Sequence, residues 1–194
     1  MPRTERGMRT RASLLAAAEA VFLDLGYHEA SVVKITKRAG VSQGTFYLYF
    51  ASKKDVFDEL VVDLNHRVRQ AMTEAASHGA TRAEMERLGF AAFFRFTAEH
   101  PALYRIIRQS EFVAPEMLRY HYSRVAEGYV TALDEAMESG EIGQIDAEVT
   151  AYALMGLGEL VGMRWILWGD GNAMPERVTN ELARIIRCIL EAKE

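Results

Sequence analysis

The residues best equipped to meet another molecule lie between Ser31 and Asp55, in the run SVVKITKRAGVSQGTFYLYFASKKD. Gln43 and Thr45 carry groups that hydrogen-bond base edges, and Leu48 can touch a thymine methyl. The hydroxyls of Tyr47 and Tyr49 can reach phosphates or bases. Lys34 and Lys53 bring ammonium charge. Lys53 also sits at a helix start, where backbone N–H groups and the helix dipole favour phosphate. Elsewhere the chemistry is sparse. His28, His66, His78, His100 and His121 are scattered, with no His-x3-His or Glu-x-x-His pair for a metal and no nucleophile elbow. No metal, cofactor or catalytic group is expected, so the pattern is that of a binding protein and not an enzyme.

Two short helices must position these side chains. Val32, Ile35 and Ala39 recur at helical spacing and predict one buried face. Ser31 stands where an N-cap belongs, and Gly40 can take the left-handed conformation that ends a helix. Val41 is expected to drop into the core, and Ser42 to cap a second helix over Gln43 to Tyr49. Phe46 and Phe50 lie on its inner side. Gln43, Gly44, Thr45, Tyr47, Leu48 and Tyr49 face outwards. Ser52-Lys53-Lys54-Asp55 is a capping box that opens a third helix. Two short helices across a glycine turn make a helix-turn-helix.

The run AGVSQGTFYLYFASKKDVF resembles the DNA-binding signature of the tetracycline-repressor (TetR) family of bacterial regulators. The pattern is a small residue and glycine, Val-Ser, Gly-Thr, an aromatic pair, Phe, Ser-Lys and an acidic residue. The likeness spans Thr10 to Phe57, and later residues resemble the family in architecture only. Thr36 departs from the family's usual alanine; its hydroxyl can bond back to the i−4 carbonyl. The resemblance implies an all-α protein with a three-helix DNA-binding head at residues 1–54. Residues 55–194 would then form a larger helical bundle for ligand binding and dimerisation. Gln43, Thr45 and Tyr49 are the expected base or near-base contacts. Lys34, Tyr47 and Lys53 are expected on phosphate, with Ser42 and Gly44 on the same surface.

Composition is consistent with this. Apolar residues make up 49% of the 194, charged residues 26%, and only four are proline. That is a soluble, nearly all-helical profile. The single cysteine, Cys188, lies in an apolar helical pattern and reads as a small core residue. The start MPRTERGMRTR lacks the apolar core of a signal peptide. The most apolar stretch, Ala147 to Gly169, is interrupted by Glu148, Glu159 and Arg164. No membrane partner and a cytoplasmic location are expected. The net charge of −4 is uneven: residues 1–54 hold nine Lys/Arg against four Asp/Glu, and the remainder 14 against 23. A basic head on an acidic body suits a module that touches phosphate at one end. Arg3, Arg6 and Arg9 form a basic arm that either frays or lies along DNA.

The rest of the chain reads as helices. Thr10 to Leu25 carries the stripe Leu15, Ala18, Phe22 and Leu25 and ends at Gly26. The helix from Ser52 keeps Val56, Phe57, Leu60, Val61, Leu64 and Val68 on one face, to about Met72. Thr81 to Glu84 is a second capping box, and its helix runs to about Glu99. A short helix spans Ala102 to Gln109, with a break over Ser110 to Ala114. A long helix follows from Glu116 to Glu138. Asp146 caps a helix that is apolar nearly all round; Gly156, Gly158 and Gly162 within it would admit another helix closely. GLGELVG is not read as a nucleotide loop, because no strand precedes it. Pro175 opens a last helix with Val178, Leu182, Ile185, Ile186, Ile189 and Leu190. These two C-terminal helices are expected to form a homodimer interface, the competing reading being that they only close the monomer's core.

A surplus of large apolar side chains suits a ligand pocket between helices. The candidates are Phe90, Phe93, Phe94, Tyr104, Met117, Tyr120, Tyr152, Met155, Trp165 and Trp168, with Arg108, His121, Arg124 and Glu159 to orient a polar group. The arginines would favour an anionic amphiphile such as a fatty acid or acyl thioester, and Glu159 a cation among aromatics. The function expected is a ligand-responsive repressor that binds an inverted-repeat operator in double-stranded DNA as a dimer and is released by a small-molecule effector. The alternative is a helical dimeric sensor or adaptor that does not bind DNA specifically.

Overall fold

The structure, a computed structural model, describes residues 4–169 and 173–191. All regular structure among the described residues is helical: α1 Glu5–Glu29, α2 Val32–Ala39, α3 Gln43–Tyr47, α4 Lys53–Ala76, α5 Arg82–Glu99, α6 Ala102–Val113, α7 Pro115–Glu138, α8 Ala147–Gly162 and α9 Glu176–Leu190, with a π-helical turn at Met163–Leu167. No described helix is long and apolar enough to cross a membrane. The helix starts follow the capping logic of the sequence. Ser31, Ser42, Ser52, Thr81 and Asp146 each accept the N–H three residues on, at 2.9–3.3 Å. Asp55 and Glu84 reach back one residue past the caps, accepting the N–H of Ala51 and Ala80 at 2.8 and 3.0 Å.

The chain packs as two compact units: residues 1–64 with 101–121, and residues 65–100 with 122–194. These packing units do not follow the 54/55 division expected for function, because α6 packs on α1 and completes the first unit.

In the first unit, α1 begins earlier than the pattern predicts, at Glu5, where Thr4 accepts the Gly7 N–H at 3.2 Å. Of the expected basic arm, Arg6 and Arg9 therefore belong to a helix, and Arg3 lies outside the described residues. The buried stripe of α1 is Leu14, Ala18, Val21 and Phe22. Leu25, expected in it, is 43% exposed, because Gly26 at φ 74° turns the chain there. On α4, all of Val56, Phe57, Leu60, Val61 and Leu64 are fully buried as predicted. No break occurs at Ser110: α6 continues to Val113, with the buried Ser110 hydroxyl bonded to the Ile106 carbonyl at 3.0 Å. A serine that returns its hydrogen bond to the preceding turn is compatible with a helix interior.

The core of the second unit joins Phe90 and Phe94 of α5 and Leu133 of α7 to Leu154 of α8 and Leu182 and Ile186 of α9. A Cβ on Gly158 would stand 2.9 Å from the Phe90 ring, so the glycine does permit a close approach. Cys188 is exposed, not in the core; it sits on the side of α9 opposite the buried Val178, Leu182, Ile186 and Leu190. The π-helical turn has no sequence signal. Its Trp165 ring lies 5.4 Å from the Arg164 guanidinium and 5.8 Å from that of Arg177.

Burial moves Glu86 in the second unit and His121 in the first out of their ordinary ranges. Burial raises the Glu86 carboxyl from 4.5 to about 7, and the charge of Arg82 offsets only part of that. Burial lowers the His121 imidazole from 6.5 to about 4. The folded state therefore holds the Glu86 proton more tightly than the unfolded chain. That advantage is fully present below about pH 4.5 and is lost as pH rises through about 7. His121 contributes the opposite slope, losing stability as pH falls from 6.5 towards 4. Glu86→Gln removes only the first. In thermal unfolding the variant should gain on the wild type between pH 5 and pH 8, by up to about 3 kcal/mol at roughly 1.4 kcal/mol per pKa unit. A difference that does not change with pH would contradict the burial of an ionisable carboxyl there.

Candidate nucleic-acid interface

The interface is built on α2 and α3. Gly40 links them in the left-handed conformation, φ 69° and ψ 30°, and the Val41 N–H closes the turn on the Thr36 carbonyl at 3.1 Å. Ile35 and Phe46, both fully buried, pin the two helices to the core. Phe46 packs on Phe50 with ring centroids 5.5 Å apart. Val41, expected in the core, is half-buried. Thr36 is buried, and its hydroxyl donates to the Val33 carbonyl at 3.1 Å, the i−3 partner and not the i−4 one expected.

α3 ends at Tyr47, a residue pair earlier than predicted, and Leu48 to Phe50 turn away from it. Gln43 and Gly44 are exposed, Tyr47 is 56% and Leu48 81% exposed, and Thr45 and Tyr49 are half-buried. The Ser42 and Thr45 hydroxyls lie 3.0 Å apart in a shared hydrogen bond. Ser42 is thus occupied as the cap. The residues with free reach outwards are Gln43, Tyr47 and Leu48, framed by Thr45 and Tyr49. An exposed leucine between two tyrosines has no packing role in its own unit, so it is available to an incoming surface.

The two lysines differ. Lys34 donates one hydrogen bond from Nζ, to the Glu29 carbonyl at 2.7 Å, and keeps donors to spare. Lys53 does not. Its Nζ donates to the carbonyls of Tyr27, Ala30 and His28 at 2.7, 2.8 and 3.4 Å, and lies 4.3 Å from the Tyr27 ring centroid. Gly26 breaks α1 just before these residues, which leaves carbonyls without helical partners. Lys53 satisfies them and sets cation on the end of a helix, where the dipole favours it. α6 helps: Gln109 Oε1 accepts the Tyr27 N–H at 2.5 Å, and Arg105 donates to the Leu23 carbonyl at 3.3 Å. Sequence reasoning missed Arg105 and Gln109, because no local pattern links them to a chain break some eighty residues earlier.

The expected ligand residues are dispersed. Phe90 and Phe94 are core, and Phe93 and Trp165 pack against it. Tyr104 and His121 are buried in the first unit, where Met117 and Tyr120 are half-buried and Arg108 is exposed. Tyr152 and Trp168 are exposed, and Met155 is half-buried. Arg124 pairs with Glu127, and Glu159 accepts from the Tyr122 hydroxyl at 2.8 Å on each oxygen. A cavity of about 290 Å³ within the second unit is lined by other residues: Arg69, Met72 and Thr73 of α4, Arg82, Met85 and Glu86 of α5, and Val125 and Tyr129 of α7 among them. One signal in the sequence pointed there. Glu86 falls in register with Phe90, Phe93 and Thr97, so it puts a carboxyl on an apolar stripe.

Lys53→Met removes the clamp and leaves three carbonyls uncovered. It should cost roughly 1–3 kcal/mol in urea unfolding. Gln43→Ala, at an exposed site, should stay within about 0.5 kcal/mol.

A model of bacterial regulatory proteins of the tetR family matches residues 14–60, the stretch that contains this interface. The uncharacterized HTH-type transcriptional regulator YdgC of Bacillus subtilis is 31% identical over 189 residues, covering 91% of this chain and 92% of that one. The fatty acid metabolism regulator protein of the same organism is 30% identical over 160 residues, covering 79% and 82%. The solved structure of FadR from Bacillus subtilis in complex with stearoyl-CoA shares the fold, with a TM-score of 0.77 and 23% identity over 94% of this chain and 99% of that one. The helix-turn-helix at Val32–Tyr47, the all-helical architecture and these full-length similarities agree, and the chain belongs to the tetR family of bacterial regulatory proteins.

Proposed function

We propose that the protein is a transcriptional repressor that binds an inverted-repeat operator as a homodimer and is released by a small apolar or amphipathic effector. The observation that carries the DNA reading is the short capped helix α3, fixed from behind by Phe46 and offering Gln43, Tyr47 and Leu48 to solvent. Gln43 is suited to a bidentate contact with adenine, and Leu48 to a thymine methyl. The Tyr47 hydroxyl and the spare donors of Lys34 suit phosphates that fix the register. Thr45 and Tyr49 flank these contacts. Lys53 serves the site indirectly, by holding the chain that leads into α2. The basic balance of residues 1–54 supports the same reading. The site would be reached in the cytoplasm of a bacterial cell.

One five-residue helix makes few base contacts, so useful specificity calls for two copies on one duplex. α8 supports a two-fold dimer. Val149, Tyr152, Ala153, Gly156 and Leu160 follow one another at helical spacing and all are exposed, Val149 at 65% and Leu160 at 61%. The opposite face of the helix, with Ala151 and Leu154, is core. A continuous exposed apolar stripe favours burial against a partner, and a self-complementary stripe suits a second copy. Gly156, with open space around it, leaves room for close approach.

The effector would act through α4, an unbroken helix from Lys53 to Ala76 whose first residues hold the DNA-binding end and whose last turns line the cavity. A ligand that prefers one tilt of α4 shifts the population towards it and opposes DNA by the same coupling energy. A relative named as a fatty acid metabolism regulator supports an acyl-type effector.

The test is a titration of a labelled duplex from upstream of the protein's own coding region at physiological salt, with random DNA alongside. Specific binding should exceed random by about a thousandfold or more. Tyr49→Ala and Gln43→Ala should reduce that preference, and Lys34→Ala should weaken binding to all sequences while lowering the salt slope by about one. Leu160→Asp should convert a dimer to a monomer in analytical ultracentrifugation and abolish specific binding with it. A stable dimer that binds every duplex alike would instead favour the adaptor reading.

A further inference from the structure

The cavity in the second unit has an unusual polar end. Its walls are largely apolar, with Met72 on α4, Met85 on α5 and Val125 on α7. Arg82 and Glu86 stand one turn apart on α5 with side chains only 12% and 3% exposed, and Arg82 Nη2 lies 2.9 Å from Glu86 Oε1. Beyond that ion pair Glu86 Oε1 has no hydrogen-bond partner among the described residues, and Arg82 Nε has none. Buried polar atoms without partners are uncommon in folded proteins and cost about 1–3 kcal/mol each. Arg69, on the α4 wall, has no ion pair or hydrogen bond among the described residues. The Tyr129 hydroxyl on the α7 wall has no hydrogen-bond partner among them either.

These four are the charged and titratable groups that line the cavity: Arg69 from α4, Arg82 and Glu86 from α5, and Tyr129 from α7. Two arginines and one carboxyl line the cavity, and of the two arginines only Arg82 is paired with Glu86. With Glu86 ionised the cavity carries one net positive charge, and with Glu86 protonated it carries two. Guanidinium forks match the two oxygens of a carboxylate. A protonated Glu86 would add a third donor to the same group. At about 290 Å³ the cavity has the volume of roughly ten liquid waters. That suits a compact acid with about ten heavy atoms, not a long acyl thioester.

We propose that this cavity binds a small monocarboxylate with an apolar body, its carboxylate held by Arg69 and Arg82 and hydrogen-bonded by a protonated Glu86. The inference rests on the ligand-responsive reading above and names the effector class. Because burial raises the Glu86 carboxyl to about 7, the negative charge of the ligand draws a proton onto it. Binding then takes up a proton, and affinity falls as pH rises.

The test is isothermal titration calorimetry of the full-length protein with octanoate, 1-octanol and octylammonium. The expected order is octanoate tightest, 1-octanol at least tenfold weaker and octylammonium weakest. Octanoate affinity should fall roughly tenfold from pH 7 to pH 8.5. Buffers of different ionisation enthalpy should report uptake of about half a proton at pH 7, rising towards one at pH 8.5. Glu86→Gln should abolish both the pH dependence and the proton uptake. Arg69→Gln should weaken octanoate about tenfold and leave 1-octanol unchanged. The double variant Arg82→Leu/Glu86→Leu replaces the buried pair with apolar groups, which folds generally tolerate; it should lose octanoate and keep 1-octanol. Equal binding of octanoate and 1-octanol would overturn the proposal, as would preference for the ammonium or no binding at all. Specific DNA binding measured on the same preparation without ligand separates the two readings. If it is intact while octanoate fails, the carboxylate site alone is wrong.

Discussion

A cation on a broken helix end holds the DNA-binding end together. Gly26 turns the chain at φ 74°, and Tyr27 to Ala30 must then carry backbone groups that no helix satisfies. Lys53 reaches them from the first turn of α4, and Gln109 and Arg105 reach them from α6. Phe22, Tyr27 and Phe57 close over the same point with ring centroids 5.0–5.8 Å apart. This junction sets where Ser31 begins α2, and α2 in turn sets α3. A helix of five residues has too few hydrogen bonds to hold itself. Its direction is inherited from the Gly26 junction, the Gly40 turn and the anchor Phe46.

The second unit keeps its charge where burial makes it costly. An apolar replacement of Arg82 and Glu86 would often be neutral or stabilising in such a core, and the pair's geometry is too poor to satisfy both groups. A cavity with unsatisfied polar atoms is a weak element of a fold but a responsive one. Whatever completes their hydrogen bonds recovers the desolvation cost and stabilises the conformation that it fits. α4 passes from one setting to the other. In it the same helix that begins with a capped, clamped end finishes with Arg69, Met72 and Thr73 on the cavity wall.

Much of the architecture was legible in the sequence because its signals are local. Caps at Ser31, Ser42, Thr81 and Asp146, glycines at 26 and 40, and the 3.6-residue stripe of α4 each act within a few residues. The inner face of α3 read correctly for the same reason, as did that of α9 at Val178, Leu182, Ile186 and Leu190, though not at Cys188. Where local signals compete, boundaries slipped. Ser110 reads as a break yet satisfies itself within α6, and Leu25 continues a stripe that the backbone abandons one residue later. The candidate DNA surface was visible as a set of side chains, but not the commitment of Lys53 to carbonyls, which depends on a chain break 26 residues away. The residues that line the candidate cavity were the least legible. Aromatic content marks a core and a pocket alike, and Phe90 and Phe94 fill the core. The cavity is drawn by ordinary methionines and by two charges whose burial appears only once α4, α5 and α7 are packed.

The most direct test is selection of binding duplexes from a fully randomised pool by the wild-type protein, followed by sequencing. The account predicts an inverted repeat, with each half-site read by one α3 and an invariant spacing imposed by the dimer. A single unpaired half-site, or a pool that never converges, would contradict a two-fold regulator built on Gln43 to Tyr49.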